Sequence, residues 1–120
     1  MAQEKRIVNE NLEAVLKVKF TNGSTIECAI DTGFNGWLLL PRSFIEENSI
    51  RFIGLEKVTM VEENEIFVET ALAKVKWLDE EFSTKILVSE TDESLIGTQM
   101  LVNAVLEIDY ENLTVPITKR

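Results

Sequence analysis

The sequence has no histidine, and its 120 residues include a single cysteine, Cys28. A Ser-His-Asp triad, a Cys-His pair, a histidine metal site and an intrachain disulfide are therefore excluded. Any acid–base chemistry that this chain performs alone must use carboxylates, lysines or its one tyrosine, Tyr110.

Basic residues are also few: 12 lysines and arginines stand against 21 aspartates and glutamates, which gives a net charge of −9. Nucleic acids need clustered basic residues, and an anionic membrane repels an acidic chain. Residues 1–7 lack the apolar segment of a signal peptide, and no apolar run approaches the roughly 20 residues of a membrane-spanning helix. We therefore expect a cytoplasmic protein that binds neither nucleic acid nor membranes.

Most of the remaining pattern is typical of short β-strands. Residues 16–20 alternate apolar and charged side chains, which is the period of a half-buried strand. Asn22-Gly23 then predicts a hairpin, because both residues tolerate the positive φ of a type I′ turn. In the return strand Cys28 falls on the apolar face, where a buried side chain is favoured over a reactive thiol. Further strand-like segments are residues 37–40, 58–61, 66–78, 82–88, 105–108 and 113–117.

Two short helices are expected between the strands. Pro41 suits the first turn of a helix that continues to about residue 48, and the Thr98 hydroxyl can cap a helical turn over residues 99–103. An apolar fraction of 45% is enough for a core. Since the chain shows neither repeats nor a linker, we expect residues 1–120 to form a single mostly-β domain, a small closed barrel or sandwich with one or two short helices.

Asp31-Thr32-Gly33 is the motif best suited to chemistry. The hairpin strand leads into it, and an apolar segment that ends at Pro41 leads out. A second short motif, Leu95-Ile96-Gly97, precedes the predicted helical turn. Asp31-Thr32-Gly33 alone is also compatible with a tight turn, since Asp and Gly are common turn residues. Together the two motifs resemble the retropepsin-like aspartic peptidases, the family that includes retroviral proteases, and the resemblance covers about residues 12–117.

The resemblance implies an aspartic endopeptidase that works with two aspartates. Two carboxyl groups a few ångströms apart share one proton: the ionised group takes a proton from water, while the protonated group hydrogen-bonds the scissile carbonyl. This chain has one Asp-Thr-Gly, so a two-fold homodimer is expected to bring the Asp31 residues of two copies together. The expected partners are a second copy and a protein or peptide substrate, with no metal ion and no cofactor.

The resemblance also implies roles for the residues around Asp31. Thr32 is expected to hydrogen-bond across the dimer axis, and Gly33 to let the backbone approach the carboxylates and the substrate closely. Gly97 is expected to pack behind the active-site loop. Substrate-binding positions correspond to Phe34, Asn35 and Gly36 in the cleft and to Leu95 in the wall of the primary pocket. The flap, a hairpin that closes over substrate, corresponds to Glu62, Glu63 and Asn64.

Two departures from the family pattern leave an alternative open. Retroviral flaps are glycine-rich, whereas residues 62–65 contain no glycine and three carboxylates, a composition that favours a solvated loop tip over a metal site. Phe34 stands where many relatives have a small residue. The alternative is a non-catalytic module of the same fold that binds extended peptides by strand addition or serves for dimerisation.

Overall fold

A computed structural model of the chain describes residues 3–9, 12–59 and 64–120. These residues form ten strands, one α-helix and one 3-10 helix. The helix α1 (Arg42–Glu47) follows the fourth strand, and the 3-10 helix (Thr98–Leu101) follows the eighth. The strands are β1 (Gln3–Ile7), β2 (Val15–Phe20), β3 (Thr25–Ile30), β4 (Leu38–Pro41), β5 (Arg51–Thr59), β6 (Glu65–Trp77), β7 (Glu80–Ser89), β8 (Leu95–Ile96), β9 (Ala104–Leu106) and β10 (Thr114–Lys119).

Six of these strands close into a ring. Its order is β2, β3, β8, β4, β7 and β6, and β6 returns to β2 where Lys19 lies opposite Lys76 and Phe20 opposite Val75. The strand β5 pairs with β6 as the second arm of a long hairpin. The predicted mostly-β, closed architecture with few helices is confirmed.

Most of the buried core residues come from the strands of this ring, because these strands alternate their side chains between two faces. In β2, Leu16, Val18 and Phe20 are buried, whereas Lys19 between them is exposed. Complete burial of one leucine or isoleucine side chain stabilises the fold by about 1.5–3 kcal/mol relative to an exposed position. The buried residues of this size with almost no exposed surface are Leu16, Leu38, Leu40, Ile45, Ile86, Ile96 and Ile117.

The β2–β3 hairpin forms at the predicted place, but its turn differs from the predicted type I′. Gly23 has a φ of 96°, whereas Asn22 keeps a negative φ, so one of the two positive angles is missing. The connection is wider instead: the Phe20 amide donates to the Ser24 carbonyl at 2.9 Å. The Asn22 side chain caps this loop, since its Oδ1 accepts the Ser24 amide at 2.8 Å.

Both predicted helices are present, with one difference at the second. Pro41, in an extended conformation, occupies the N-cap of α1, which buries Ile45. Gly97, not Thr98, lies at the N-cap of the 3-10 helix, and no side chain caps it, so the expected role of the Thr98 hydroxyl is wrong. Among the described residues, no helix has the length and apolarity needed to cross a membrane.

A second, three-stranded sheet lies outside the ring, in the order β1, β10, β9. The antiparallel pairing of β1 and β10 runs from Gln3 opposite Thr118 to Ile7 opposite Thr114. The polar sequence of β1 gave no strand signal. Its pairing with β10 is a long-range contact, and this explains why local pattern did not predict it.

Candidate active site

The two motifs meet because β8 is inserted between β3 and β4. It runs parallel to β3, with Ile30 opposite Ile96, and antiparallel to β4, with Leu38 opposite Ile96. The loop that follows β3 begins at Asp31, and the 3-10 helix follows β8 directly. The residues after β3, those before β4 and those after β8 therefore share one edge of the ring.

Backbone hydrogen bonds hold these segments together. The Asp31 amide donates to the Ile96 carbonyl at 3.0 Å. In the other direction, the Thr98 amide donates to the Phe34 carbonyl at 2.9 Å and the Gln99 amide to the Gly36 carbonyl at 3.1 Å. These bonds join backbone groups, and they hold the loop against the end of β8 and the 3-10 helix.

Asp31 is half-buried at the start of this loop, and Thr32 and Gly33 after it are exposed. One carboxylate oxygen, Oδ1, accepts the Gly33 amide at 2.9 Å. The Asp31 carbonyl accepts the Phe34 amide at 3.1 Å, which closes a tight turn. Within the described part of the chain, no hydrogen bond reaches the second carboxylate oxygen. The carboxylate is thus oriented by its own loop and keeps one oxygen available.

The ring of Phe34 lies against two glycines. A Cβ atom on Gly36 would lie 2.6 Å from the ring atom Cε1, and one on Gly97 would lie 2.9 Å from Cδ2. A Cβ on Gly97 would also overlap the Gly36 carbonyl. Side chains at these two positions would push the ring and the loop apart, which accounts for Gly36 in the loop and for Gly97 in the second motif.

A cavity of about 350 Å³ flanks one side of the site. Leu95, the predicted wall residue, lines it together with Ala29, Val15 and the carboxylates of Glu13, Glu27 and Glu93. Leu95 pairs with Ala29, two residues before Asp31. This predicted substrate-binding residue therefore borders an open space close to Asp31.

A second cavity, of about 230 Å³, lies on the other side of the loop. Two predicted substrate-binding residues, Asn35 and Gly36, line it, together with Trp37, Leu87 and Gln99. Across it, the Lys85 ammonium contacts the Glu56 carboxylate of β5 at 2.7 Å. The structure thus brings Asn35 and Gly36 together with the β5–β6 hairpin.

The predicted flap residues belong to the segment that connects the two arms of that hairpin in sequence. The arms pair from Arg51 opposite Leu72 to Thr59 opposite Glu65. Glu62 and Glu63 lie outside the described residues. Asn64 is exposed and directly precedes β6.

An ion-pair cluster around Arg42 was not predicted from the sequence. Its guanidinium donates to both oxygens of Glu90 at 2.6–3.2 Å and to Glu69 Oε1 at 2.7 Å. The hydrogen bond from Arg42 lowers the pKa of Glu90, and the bonds to Glu90 and Glu69 raise the pKa of Arg42. The cluster joins α1, the β5–β6 hairpin and the loop before β8. No sequence signal could have found it, because 27 and 48 residues separate the partners.

Cys28 is fully buried in β3, as predicted. Burial raises the pKa of its thiol to about 12, and the neighbouring Glu27 carboxylate adds to the shift. A thiol of this kind is protonated near neutral pH and is a poor nucleophile. Within the described residues, no group of three or more cysteine, aspartate or glutamate side chains is arranged to hold a metal ion.

Comparison with solved structures identifies the fold. The chain is similar to EIAV protease complexed with the inhibitor HBY-793, with a TM-score of 0.62 and 16% identity over 78% of this chain and 89% of that one. It is also similar to Simian Foamy Virus (mac) protease, with a TM-score of 0.54 and 17% identity over 73% of this chain and 91% of that one. No protein-family model and no curated protein matches the chain.

A longer viral protein matches over one part of its length. Foamy viral protease–reverse transcriptase in complex with an RNA/DNA hybrid has a TM-score of 0.54 and 18% identity over 75% of this chain, which spans only 12% of that protein. The three neighbours agree on the architecture, and the chain therefore has the retropepsin-like fold of retroviral proteases. Identities of 16–18% establish the fold alone.

Proposed function

We propose that two copies of this chain form an aspartic endopeptidase in which Asp31 of each copy supplies one carboxyl group of the catalytic pair. The observation that carries the proposal is the geometry of Asp31: its carboxylate is oriented by the Gly33 amide, on a loop fixed by bonds to the second motif. The solved structures with this fold named above are proteases, and this supports the same general activity.

The chemistry requires only the two carboxyl groups and water. The ionised carboxylate removes a proton from water, and the oxygen attacks the carbonyl carbon of the peptide bond. The protonated carboxyl donates its hydrogen to the carbonyl oxygen, which becomes a hydroxyl in the tetrahedral intermediate. When the carbon–nitrogen bond breaks, the first carboxyl passes the proton that it took from water to the leaving amine. The second carboxylate takes a proton back from a hydroxyl of the intermediate, which becomes the carboxyl group of the product, so both groups return to their starting states. No histidine, metal ion or cofactor enters these steps.

A dimer is part of the proposal because one chain has one Asp-Thr-Gly loop. A two-fold axis near Asp31 places the same loop of both copies face to face. We assign Thr32, which is exposed beside Asp31, to a hydrogen bond across this axis. We assign Gly33 to the close approach of the backbone in the paired loops.

Substrate is proposed to lie as an extended strand between the ring edge and the β5–β6 hairpin. Leu95 on one side and Asn35 and Gly36 on the other border the two cavities that flank Asp31. We assign Leu95, Asn35 and Gly36 to substrate binding. Phe34 was predicted to bind substrate as well, but its ring lies against Gly36 and Gly97, and we assign it instead to support of the loop. We assign the flap, which excludes water during catalysis, to the segment between β5 and β6 that contains Glu62, Glu63 and Asn64.

Replacement of Asp31 by asparagine tests this function. Wild type, Asp31→Asn and Asp79→Asn are incubated with a peptide library across acidic pH, and the products are identified by mass spectrometry. Asp79 is a matched control, because it lies in the β6–β7 turn, does not line the cavities assigned to substrate, and has a φ of 66°, which asparagine tolerates. We expect cleavage by wild type and Asp79→Asn and none by Asp31→Asn. A wild-type dimer that binds peptides and leaves them intact would instead be the non-catalytic module.

A further inference from the structure

A cavity of about 630 Å³ lies beyond the two that flank Asp31, and it is larger than either. It opens between the β6–β7 turn, the 3-10 helix and the end of β10. Its apolar lining comes from Trp37, Trp77, Leu78, Phe82, Met100 and Val102. Trp37 is 36% exposed and Val102 is 61% exposed, so part of this apolar surface is in contact with water.

This cavity continues from the proposed substrate-binding region. Trp37 and Gln99 line both this cavity and the 230 Å³ cavity beside Asn35 and Gly36. Trp37 follows Gly36 directly, and the Gln99 amide is bonded to the Gly36 carbonyl. An extended peptide that occupies the smaller cavity can therefore place a more distant side chain in the larger one.

The walls of the cavity are fixed before anything binds. The Trp77 indole N–H donates to the Met100 carbonyl at 2.9 Å, which ties β6 to the 3-10 helix. The rings of Trp37 and Phe82 pack with their centroids 5.9 Å apart. The Trp37 carbonyl accepts the Gly97 amide at 2.9 Å. Since these walls are already ordered, a ligand pays little of the entropy that ordering a pocket costs.

The rim selects the kind of side chain that fits. Glu80 and Lys119 form an ion pair of 3.1 Å, and the other two charged groups of the rim, Glu81 and Arg120, have opposite signs. A charged side chain of the ligand is not favoured, because Lys119 and Arg120 repel a cation and the two glutamates repel an anion. A neutral side chain buries the aromatic and aliphatic floor without breaking the Glu80–Lys119 pair. The flat rings of Trp37 and Phe82 favour an aromatic side chain such as tryptophan or phenylalanine, and the cavity has room for either.

We propose that this cavity is a secondary substrate-binding site, an exosite, that takes a large aromatic side chain of the peptide substrate some residues away from the scissile bond. The inference deepens the proposed endopeptidase function and rests on it for the identity of the ligand. It assigns a specificity role to Trp37, Phe82 and Val102. It predicts a preference for substrates with an aromatic residue at one fixed distance from the cleavage point.

Binding is measured first without any cleavage, in Asp31→Asn protein labelled with ¹⁵N. The chain has two tryptophans, so two indole N–H signals report on the cavity, and Trp37→Phe assigns them. The probes are the peptide acetyl-Gly-Ser-Trp-Ser-Gly-amide and its analogue with serine in place of tryptophan. We expect the Trp37 signal to shift saturably with the first peptide and to stay in place with the second.

Two valine variants in the same background localise the effect. Val102→Arg places a charged chain on the cavity rim at an exposed position, whereas Val105→Arg changes a 36% exposed valine of β9 that is not part of the lining. We expect Kd for the tryptophan peptide to rise about tenfold or more in Val102→Arg, the ratio that 1.4 kcal/mol gives, and to be unchanged in Val105→Arg. An unshifted Trp37 signal, or equal affinity in both variants, overturns the proposal.

The same variants with Asp31 restored connect the cavity to cleavage. With wild type, we expect library peptides that carry tryptophan at one particular position to have a lower KM. The selectivity for tryptophan over serine at that position should fall about tenfold in Val102→Arg and stay unchanged in Val105→Arg. Sedimentation should give the same oligomeric state for the two variants. A loss of dimer in Val102→Arg alone shows that the cavity faces a second copy and overturns the proposal. If Asp31→Asn binds the peptide and wild type is inactive, the proposed function is refuted, but the cavity is still shown to bind peptides.

Discussion

The Cα atom of Gly97 packs against the backbone carbonyl of Gly36 so closely that no side chain fits between them. The contact joins the residue that follows β8 to the loop that begins at Asp31. Two hydrogen bonds reinforce it, from the Gly97 amide to the Trp37 carbonyl and from the Gln99 amide to the Gly36 carbonyl. The position of Asp31 thus depends on a residue 66 positions later in the chain.

The first prediction concerns Gly97→Ala. The added methyl group meets the Phe34 ring and the Gly36 carbonyl, and this carbonyl is held in place by the Gln99 amide. We expect a loss of unfolding free energy of about 3 kcal/mol or more, at the upper end of the usual cost of overpacking. Urea denaturation of the two proteins measures it.

Gly23→Ala is the matched control for this substitution. Gly23 has a positive φ, but a Cβ atom there has no heavy atom within 4 Å, so only backbone strain of roughly 1 kcal/mol is expected. Equal losses for the two alanine variants would show that the contact between Gly97 and Gly36 is not the cause.

The second prediction concerns Arg42→Ala, which removes the shared cation of Glu69 and Glu90. The pKa of Glu90 should rise toward its ordinary value of 4.5, because the hydrogen bond from Arg42 is what lowers it. Carboxyl chemical shifts followed through an NMR titration measure this pKa. Lys57→Ala is the control, since it breaks a different ion pair of the hairpin, with Glu65 at 2.8 Å. An unchanged pKa of Glu90 in Arg42→Ala contradicts the assignment.

The same cluster predicts a dependence of stability on pH. A lowered pKa in the folded state means that the Glu90 carboxylate stabilises the fold above pH 4.5, and that this contribution is lost as the pH falls through the lowered value. Wild type should therefore be more stable than Arg42→Ala near neutral pH, and the difference should shrink in acid. Thermal unfolding at a series of pH values checks the trend, and a difference that grows in acid would refute it.

The third prediction concerns the Cys28 thiol. Its burial and its pKa of about 12 leave almost no thiolate at pH 8. We expect iodoacetamide to leave folded protein unlabelled at pH 8 and to label the protein fully in denaturant, as read by intact mass. Rapid labelling of folded protein would show that the β3 strand opens or that the thiol is exposed.

The fourth prediction concerns dimerisation and salt. Two copies with a net charge of −9 each bring −18 together, so their repulsion opposes association. Added salt screens this repulsion, and we expect the dimer dissociation constant to fall as salt is raised from low to moderate concentration. Sedimentation equilibrium across a salt series measures it. A dimer that loosens with salt would indicate an interface held by ion pairs.

Much of the fold followed from local pattern. The alternation of residues 16–20 and the apolar face of the return strand predicted β2, β3 and the buried Cys28, because burial on one face imposes a period of two. The position of Asp31-Thr32-Gly33 after this hairpin was equally visible. The predicted type I′ turn was wrong, because Asn22 keeps a negative φ and its side-chain oxygen accepts the Ser24 amide.

The features that local sequence pattern could not predict are contacts between segments that lie far apart in the chain. The strand β8 has two residues, Leu95 and Ile96, and is too short to show a period, yet its insertion between β3 and β4 builds the site. Arg42 and its two carboxylate partners are charged residues of ordinary type in three separate segments. Both features depend on which segments meet in three dimensions, for which the sequence contains no local signal. The meeting of the two motifs was expected only from the family resemblance, and the Arg42 cluster was not expected.

Mixing active and inactive subunits tests the central claim most directly, that one catalytic pair is built from Asp31 of two chains. Wild type and Asp31→Asn are combined in equal amounts, allowed to exchange subunits, and assayed on the best library peptide at constant total protein. Random pairing leaves about a quarter of the dimers with two aspartates, so activity per total chain should fall to about a quarter of the wild-type value. A fall to one half, the value for chains that act singly, would contradict the account.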